Sequence, residues 1–113
     1  MKKPVDTDAL IADMVANAHV AQAILAKSSH PQRCAALTAA AAAVRDQTAL
    51  ILSTNEKDVA AAAKSGLGAA FIDRLTLTGA RIGGMAAGLE EMTKLPDPLG
   101  AELARWQIGR AHV

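Results

Sequence analysis

Apolar positions recur at helical spacing through most of this 113-residue chain. Between Asp6 and about Lys27, Leu10, Met14, Ala18, Ala21 and Leu25 follow one another at steps of three and four, which predicts an amphipathic helix with Asp6 as its N-cap. Ser28-Ser29-His30-Pro31-Gln32 interrupts it, because proline cannot continue a helix yet is accepted in the opening turn of the next. Ser29 and Gln32 have the spacing of a capping box. A second helix is predicted to run to about Ser53, with Leu37, Ala40, Val44, Thr48 and Ile51 on its buried stripe and Arg45 and Asp46 facing water. Thr54-Asn55 reads as its end, and Asn55 as the cap of a short third helix that stops at Gly66.

A further helical turn, Ala69 to Leu75, carries Phe71, Ile72 and Leu75 on one side. Thr78 reads as the cap of a last helix reaching about Lys94, with Ile82, Met85, Leu89 and Met92 inward. Gly83, Gly84 and Gly88 within it each cost roughly 1 kcal/mol against alanine, which predicts that something packs closely there. Pro96-Asp97-Pro98 ends the helical region. Neither an alternating strand pattern nor an internal repeat is visible, so the expected fold class is all-α, with about five helices.

Composition narrows the class without naming a function. Apolar residues make up 51% of the chain but aromatics only 2%, and alanine supplies much of the apolar count, so a core built from this segment alone is thin. Twelve basic and 11 acidic residues, a formal charge of +1, are scattered along the chain and give no electrostatic footprint for nucleic acid or an anionic membrane. The most apolar run, Ala35 to Val44, is short and bounded by Arg33 and Arg45, whereas a membrane span needs about 20 apolar residues. Pro4, Asp6 and Asp8 stand where a signal peptide would carry its apolar stretch. Cys34 is single and can close no internal disulfide, so a soluble, cytoplasmic chain is expected.

Candidate chemistry is sparse. Gly66-Leu67-Gly68-Ala69-Ala70-Phe71 has two glycines of a dinucleotide fingerprint, but Phe71 stands in the third place and a helix precedes where a strand is required. A helix stop is the better account. His30 and Cys34 lie four apart near a helix start, yet two ligands do not make a metal site, and capping and packing roles are favoured. The alanine and leucine around Cys34 provide no basic neighbourhood to activate a thiolate. His19 reads as a structural histidine, the methionines as core, and the spaced glycines Gly79, Gly83, Gly84 and Gly88 as soluble packing, since Arg81, Glu90 and Glu91 exclude a bilayer. No catalytic, cofactor-binding or metal-ligating residue is assigned.

One ordered set of residues is more telling than any of these. Asp73-Arg74-Leu75-Thr76-Leu77-Thr78, Arg81-Ile82, Met85-Ala86-Ala87-Gly88-Leu89 and Leu95-Pro96-Asp97-Pro98, with Gly100 and Trp106, resemble the stretch of gamma-glutamyl phosphate reductases that precedes their first long strands. Upstream, Leu52-Ser53-Thr54-Asn55-Glu56-Lys57-Asp58 followed by Gly66-Leu67 is similar to the linker between that family's second and third helices. The resemblance covers nearly everything from Asp8 to Trp106. It implies the amino-terminal helical part of an aldehyde dehydrogenase-like α/β enzyme, whose apolar faces are shaped for a sheet encoded further on. It also implies the parent's activity: NADPH-dependent reduction of L-glutamyl 5-phosphate, a small-molecule substrate, to L-glutamate 5-semialdehyde in proline biosynthesis. In the family a cysteine thiolate displaces phosphate and hydride then reduces the thioester, but that cysteine and the nucleotide loops fall beyond the matched stretch. Cys34 lies outside the motif and receives no such role.

At matched positions only structural roles carry over: Asn55 and Thr78 as caps, Arg74 and Arg81 as surface or ion-pair residues, Pro96 and Pro98 as helix stops. After Trp106 the pattern departs. Ile108-Gly109-Arg110-Ala111-His112-Val113 reads as an in-frame translation of a widely used sequencing adapter, ATC GGA AGA GCA CAC GTC. Residues 1–107 are therefore expected to be the helical portion of the cofactor-binding domain, and 108–113 a non-native tail. The fragment alone is expected to be inactive, and poorly packed or self-associating, while the parent is compatible with a homo-oligomer. Two alternatives stand beside this: a free-standing helical interaction module, and a fragment of another aldehyde dehydrogenase branch.

Overall fold

A computed structural model describes residues 3–109. Met1, Lys2 and, of the expected tail, residues 110–113 lie outside the described residues. Among the described residues there are five helices and no strand: α1 (Thr7–Leu25), α2 (His30–Asp46), α3 (Thr48–Lys64), α4 (Ala69–Leu75) and α5 (Gly79–Met92). The all-α expectation holds. No single helix is long and apolar enough to cross a membrane; α2 and α3 reach that measure only together, across a 66° bend.

The chain divides into two units, Met1–Lys27 with Pro96–Val113, and Ser28–Leu95. In the first, α1 starts where Asp6 Oδ1 accepts from Ala9 N–H at 3.1 Å, the expected N-cap. None of its residues is buried. After Pro96 the described chain is irregular, and a turn closed by Ala101 N–H on Pro98 O at 3.3 Å places Gly100 at φ +79°, a conformation that favours glycine.

The second unit owes its ends to local chemistry that the sequence spells out. Ser29 Oγ accepts from Gln32 N–H at 3.2 Å while Gln32 Oε1 accepts from Ser29 N–H at 2.9 Å, so both halves of the capping box form at α2. Thr78 Oγ1 accepts from Arg81 N–H at 3.1 Å to start α5. At the end of α3, Leu67 N–H reaches Ala62 O at 3.2 Å and Gly66 N–H reaches Ala63 O at 3.1 Å, a Schellman closure with Gly66 at φ +79°. The helix-stop assignment for Gly66 is thus correct. The last helix ends at Met92, and Thr93, Lys94 and Leu95 tighten into bonds to the third residue back before Pro96.

Two expectations fail together. The second helix breaks at Gln47, φ −95° and ψ 13°, not at Thr54-Asn55, and α3 runs straight through Asn55. The break has no proline or glycine; instead the Thr48 hydroxyl turns back and donates to Arg45 O at 2.7 Å, satisfying a carbonyl at the end of α2. Asn55 is therefore no cap. Its side chain is only 8% exposed, its Nδ2 donates to Leu75 O at 2.9 Å, and its Oδ1 accepts from Leu77 N–H at 2.8 Å. One amide thus pins the α4–α5 connection to the middle of α3. Arg81 holds the same connection from the other side: Nη1 donates to Asp73 O at 2.6 Å and Thr76 O at 2.5 Å, and Nη2 lies 3.5 Å from Asp73 Oδ1.

Packing within this unit centres on α2 against α5, with Ala41, Ile82 and Ala86 fully buried and Ala62 nearly so. The alanine-rich middle of α2 does admit a close neighbour. Ala41, however, rather than Ala40, is the buried position, and Met85 and Met92 remain about half exposed while Ala86 faces inward. The glycines are not the contact: a Cβ built on Gly83, Gly84 or Gly88 would meet nothing within 4 Å, so the expected close packing at these three positions is absent within the described chain. Arg45 and Glu90 form an ion pair between α2 and α5, each side chain 45% exposed.

Two outcomes follow. Asn55→Ala removes both bonds of the clamp and leaves Leu75 O and Leu77 N–H without their partner, so it should destabilise the chain by about 2 kcal/mol in urea unfolding; a change near zero would show the clamp to be incidental. The Glu90 carboxyl is held below its ordinary value by the hydrogen bond from Arg45, and further by the Arg45 and Lys94 charges, against an opposing desolvation. A depressed carboxylate stabilises the fold above its unfolded-state pKa, and that contribution disappears as pH falls through the folded value. The stability difference between the chain and Glu90→Gln should therefore shrink on acidification through the carboxylate range; a difference independent of pH would contradict it.

Candidate functional site

A concavity in the Ser28–Leu95 unit lies beside the Asn55 clamp. Leu52, Asn55, Glu56 and Val59 of α3 form one wall, Thr76 and Leu77 the other, around about 410 Å³. The spacing of the α3 residues puts them on one helical face, and the clamp fixes the opposite wall at that distance. Its chemistry is poor. Both polar atoms of the Asn55 amide are engaged by backbone, and the Thr76 hydroxyl donates to Ile72 O at 2.6 Å. Glu56 is the single ionisable side chain among the lining residues, and no cationic side chain stands there to neutralise a phosphate. The cleft can receive an apolar side chain, but it does not assemble a nucleophile with a base.

Cys34 is half-buried at the start of α2, with Sγ 3.5 Å from His30 Nε2 and its S–H directed to Thr93 O at 3.6 Å. The pair therefore links the first turn of α2 to the end of α5, which is the packing role expected for it. Among the described residues no three of His, Cys, Asp and Glu converge as a metal site. His19 is exposed on α1. Gly66-Leu67-Gly68 closes a helix and is followed directly by α4, so no strand leads into it as a dinucleotide loop requires.

Of the matched positions, Thr78 caps as expected and Arg81 makes the expected ion pair, although its bonds to two carbonyls were not foreseen. Arg74 is exposed, and Pro96 and Pro98 follow the end of α5. The Asn55 clamp was missed outright. The available signal was its place between Leu52 and Val59, at helical spacing from both, which marks a polar residue on a buried face rather than at a helix end.

No family model matches the chain, and no solved structure matches it. Curated relatives do. The chain is 45% identical over 106 residues to the gamma-glutamyl phosphate reductase of Paramagnetospirillum magneticum, 94% of this chain and 25% of that protein. It is 50% identical over 98 residues to the one from Rhizorhabdus wittichii, 87% of this chain and 23% of the relative. It is 46% identical over 102 residues to that of Rhodospirillum rubrum, 90% and 24% respectively. The chain thus spans about a quarter of the length of the relatives it matches. The ordered residues from Asp73 to Trp106 and this extended identity agree, and by them the chain belongs to the gamma-glutamyl phosphate reductases, as one segment of such a protein.

Proposed function

We propose that this chain is the amino-terminal helical portion of the cofactor-binding domain of a cytoplasmic reductase that uses NADPH to convert L-glutamyl 5-phosphate to L-glutamate 5-semialdehyde with release of phosphate. The observation that carries the proposal is identity of 43–50% sustained over about nine-tenths of the chain to proteins bearing that enzyme's name. Residues 1–107 belong to the helical portion and 108–113 to the non-native tail; the Ala-rich composition and the exposed apolar helices support a piece built to be completed by further chain.

The residues present do not fit a nicotinamide cofactor. No strand leads into Gly66-Leu67-Gly68, and neither the 410 Å³ cleft nor the Cys34 cluster offers the backbone cradle that a pyrophosphate needs. Nor, among the described residues, does a group fit the covalent step: Cys34 points its proton at a carbonyl and sits among packing contacts. The contribution of this segment is therefore architectural.

A chimera in which residues 8–106 replace the matched segment of the Paramagnetospirillum magneticum reductase should be soluble and should oxidise NADPH in the presence of L-glutamyl 5-phosphate. The isolated chain should not. A folded, soluble chimera without activity would overturn the assignment, and NADPH oxidation by the isolated chain would overturn the architectural role.

A further inference from the structure

The bend between α2 and α3 is made without a residue that requires it. Residues 32–65 contain neither proline nor glycine, and Val44-Arg45-Asp46-Gln47-Thr48-Ala49-Leu50 across the junction are all residues that a helix interior accepts. The helical ladder runs up to Gln47, whose N–H donates to Ala43 O at 3.0 Å, and resumes from it, where Ile51 N–H donates to Gln47 O at 2.9 Å. Thr48, Ala49 and Leu50 between them form the open first turn of α3, which no side chain caps, whereas Asp6, Ser29 and Thr78 cap α1, α2 and α5. Rotation at Gln47 from φ −95° and ψ 13° to helical values would bring the carbonyls of Val44, Arg45 and Asp46 to those donors and make residues 30–64 one helix.

Local sequence therefore favours a straight helix, and the bend is held by tertiary contacts. Apart from the Thr48 hydroxyl on Arg45 O, they run from α2 to α5: Ala41 is buried with Ile82 and Ala86, Arg45 pairs with Glu90, and the Cys34 thiol reaches Thr93 O. α2 touches α3 only lightly. The bonds of Asn55 to Leu75 and Leu77, and of Arg81 to Asp73 and Thr76, lie wholly beyond Gln47. Gln47 thus divides the unit into α2 on one side and α3, α4 and α5 on the other, and straightening would leave each side intact.

We infer that the chain pairs with a second copy of itself by exchanging α2: Gln47 joins the ladder, α2 and α3 become one helix, and each α2 lies on the α5 of the other copy. Once straight, α2 is directed away from its own α5, and another chain of this sequence offers the same Ile82, Ala86, Glu90 and Thr93. A short connection that the sequence would itself make helical is the kind of hinge through which identical elements exchange.

Light scattering on the isolated chain into the millimolar range should show a monomer–dimer equilibrium. Thr48→Ala removes the bond to Arg45 O and puts the best helix former at the junction; with two junctions per dimer it should raise the association constant about tenfold. Gln47→Gly should lower it about fivefold. The Arg45–Glu90 pair reports which copy supplies α5, because Arg45→Glu sets two carboxylates against each other and Glu90→Arg two guanidinium groups. When these two variants are refolded together from urea, only exchange of α2 lets each correct the other, so native mass spectrometry should find heterodimers at least about fivefold above their random share. A chain that stays monomeric throughout, Thr48→Ala included, or mixed dimers at the random share, would overturn the exchange. Equal dimer affinity in Thr48→Ala and Gln47→Gly would overturn it too, by placing the contact between copies elsewhere.

Discussion

Alanine is what lets α2 and α5 meet. Ala41 and Ala86 have no side chain beyond Cβ to hold two backbones apart, and Ile82 is the largest side chain buried with them, so the pairing contributes little apolar area. Everything else in the Ser28–Leu95 unit is arranged around that pairing. The Arg45–Glu90 ion pair joins the two helices, and the thiol of Cys34 reaches Thr93 just past the end of α5. The Asn55 and Arg81 bonds tie α4 and the following connection to α3 and α5. Polar fastening thus supplements a core in which a single isoleucine is the largest fully buried side chain.

How much of this was legible depended on the range of the interaction. Caps and stops act within a few residues, so Asp6, Ser29 with Gln32, Gly66 and Thr78 could be placed from the chain alone, and each makes the bond its position implied. The boundary between α2 and α3 could not, because no breaker residue marks Gln47; the bend follows from a threonine hydroxyl turning onto a carbonyl one turn earlier. Asn55 was misread for the complementary reason. A polar residue after a long apolar stretch looks like a helix end, and its true partners, Leu75 and Leu77, lie twenty and more residues away. What the glycines of α5 pack against was not legible either: their helix cost is visible in sequence, but a Cβ there would meet nothing within 4 Å among the described residues.

Of the candidate site, the helix stop at Gly66 was legible because its closure is local, and the cleft beside Asn55 was not, because its two walls come from stretches some twenty residues apart. Neither the cleft between α3 and the α4–α5 connection nor the Cys34 cluster joins a nucleophile, a base and an anion cradle, and the fingerprint-like glycines close a helix. The relatives that the chain matches are about four times its length. On this account the two units have different standing: one holds a small buried core, and the other displays an apolar helix that has no buried residue.

That difference is the central claim, and native-state hydrogen exchange on the isolated chain measures it most directly. Backbone amides of α2 and α5, held by mutual burial, should exchange together and slowest, at the rate set by unfolding of their unit, while those of α1 should exchange close to the rate of a solvated helix. Protection of α1 equal to that of α5 in a dilute monomer would mean that the helix is already housed within this chain, contradicting the account.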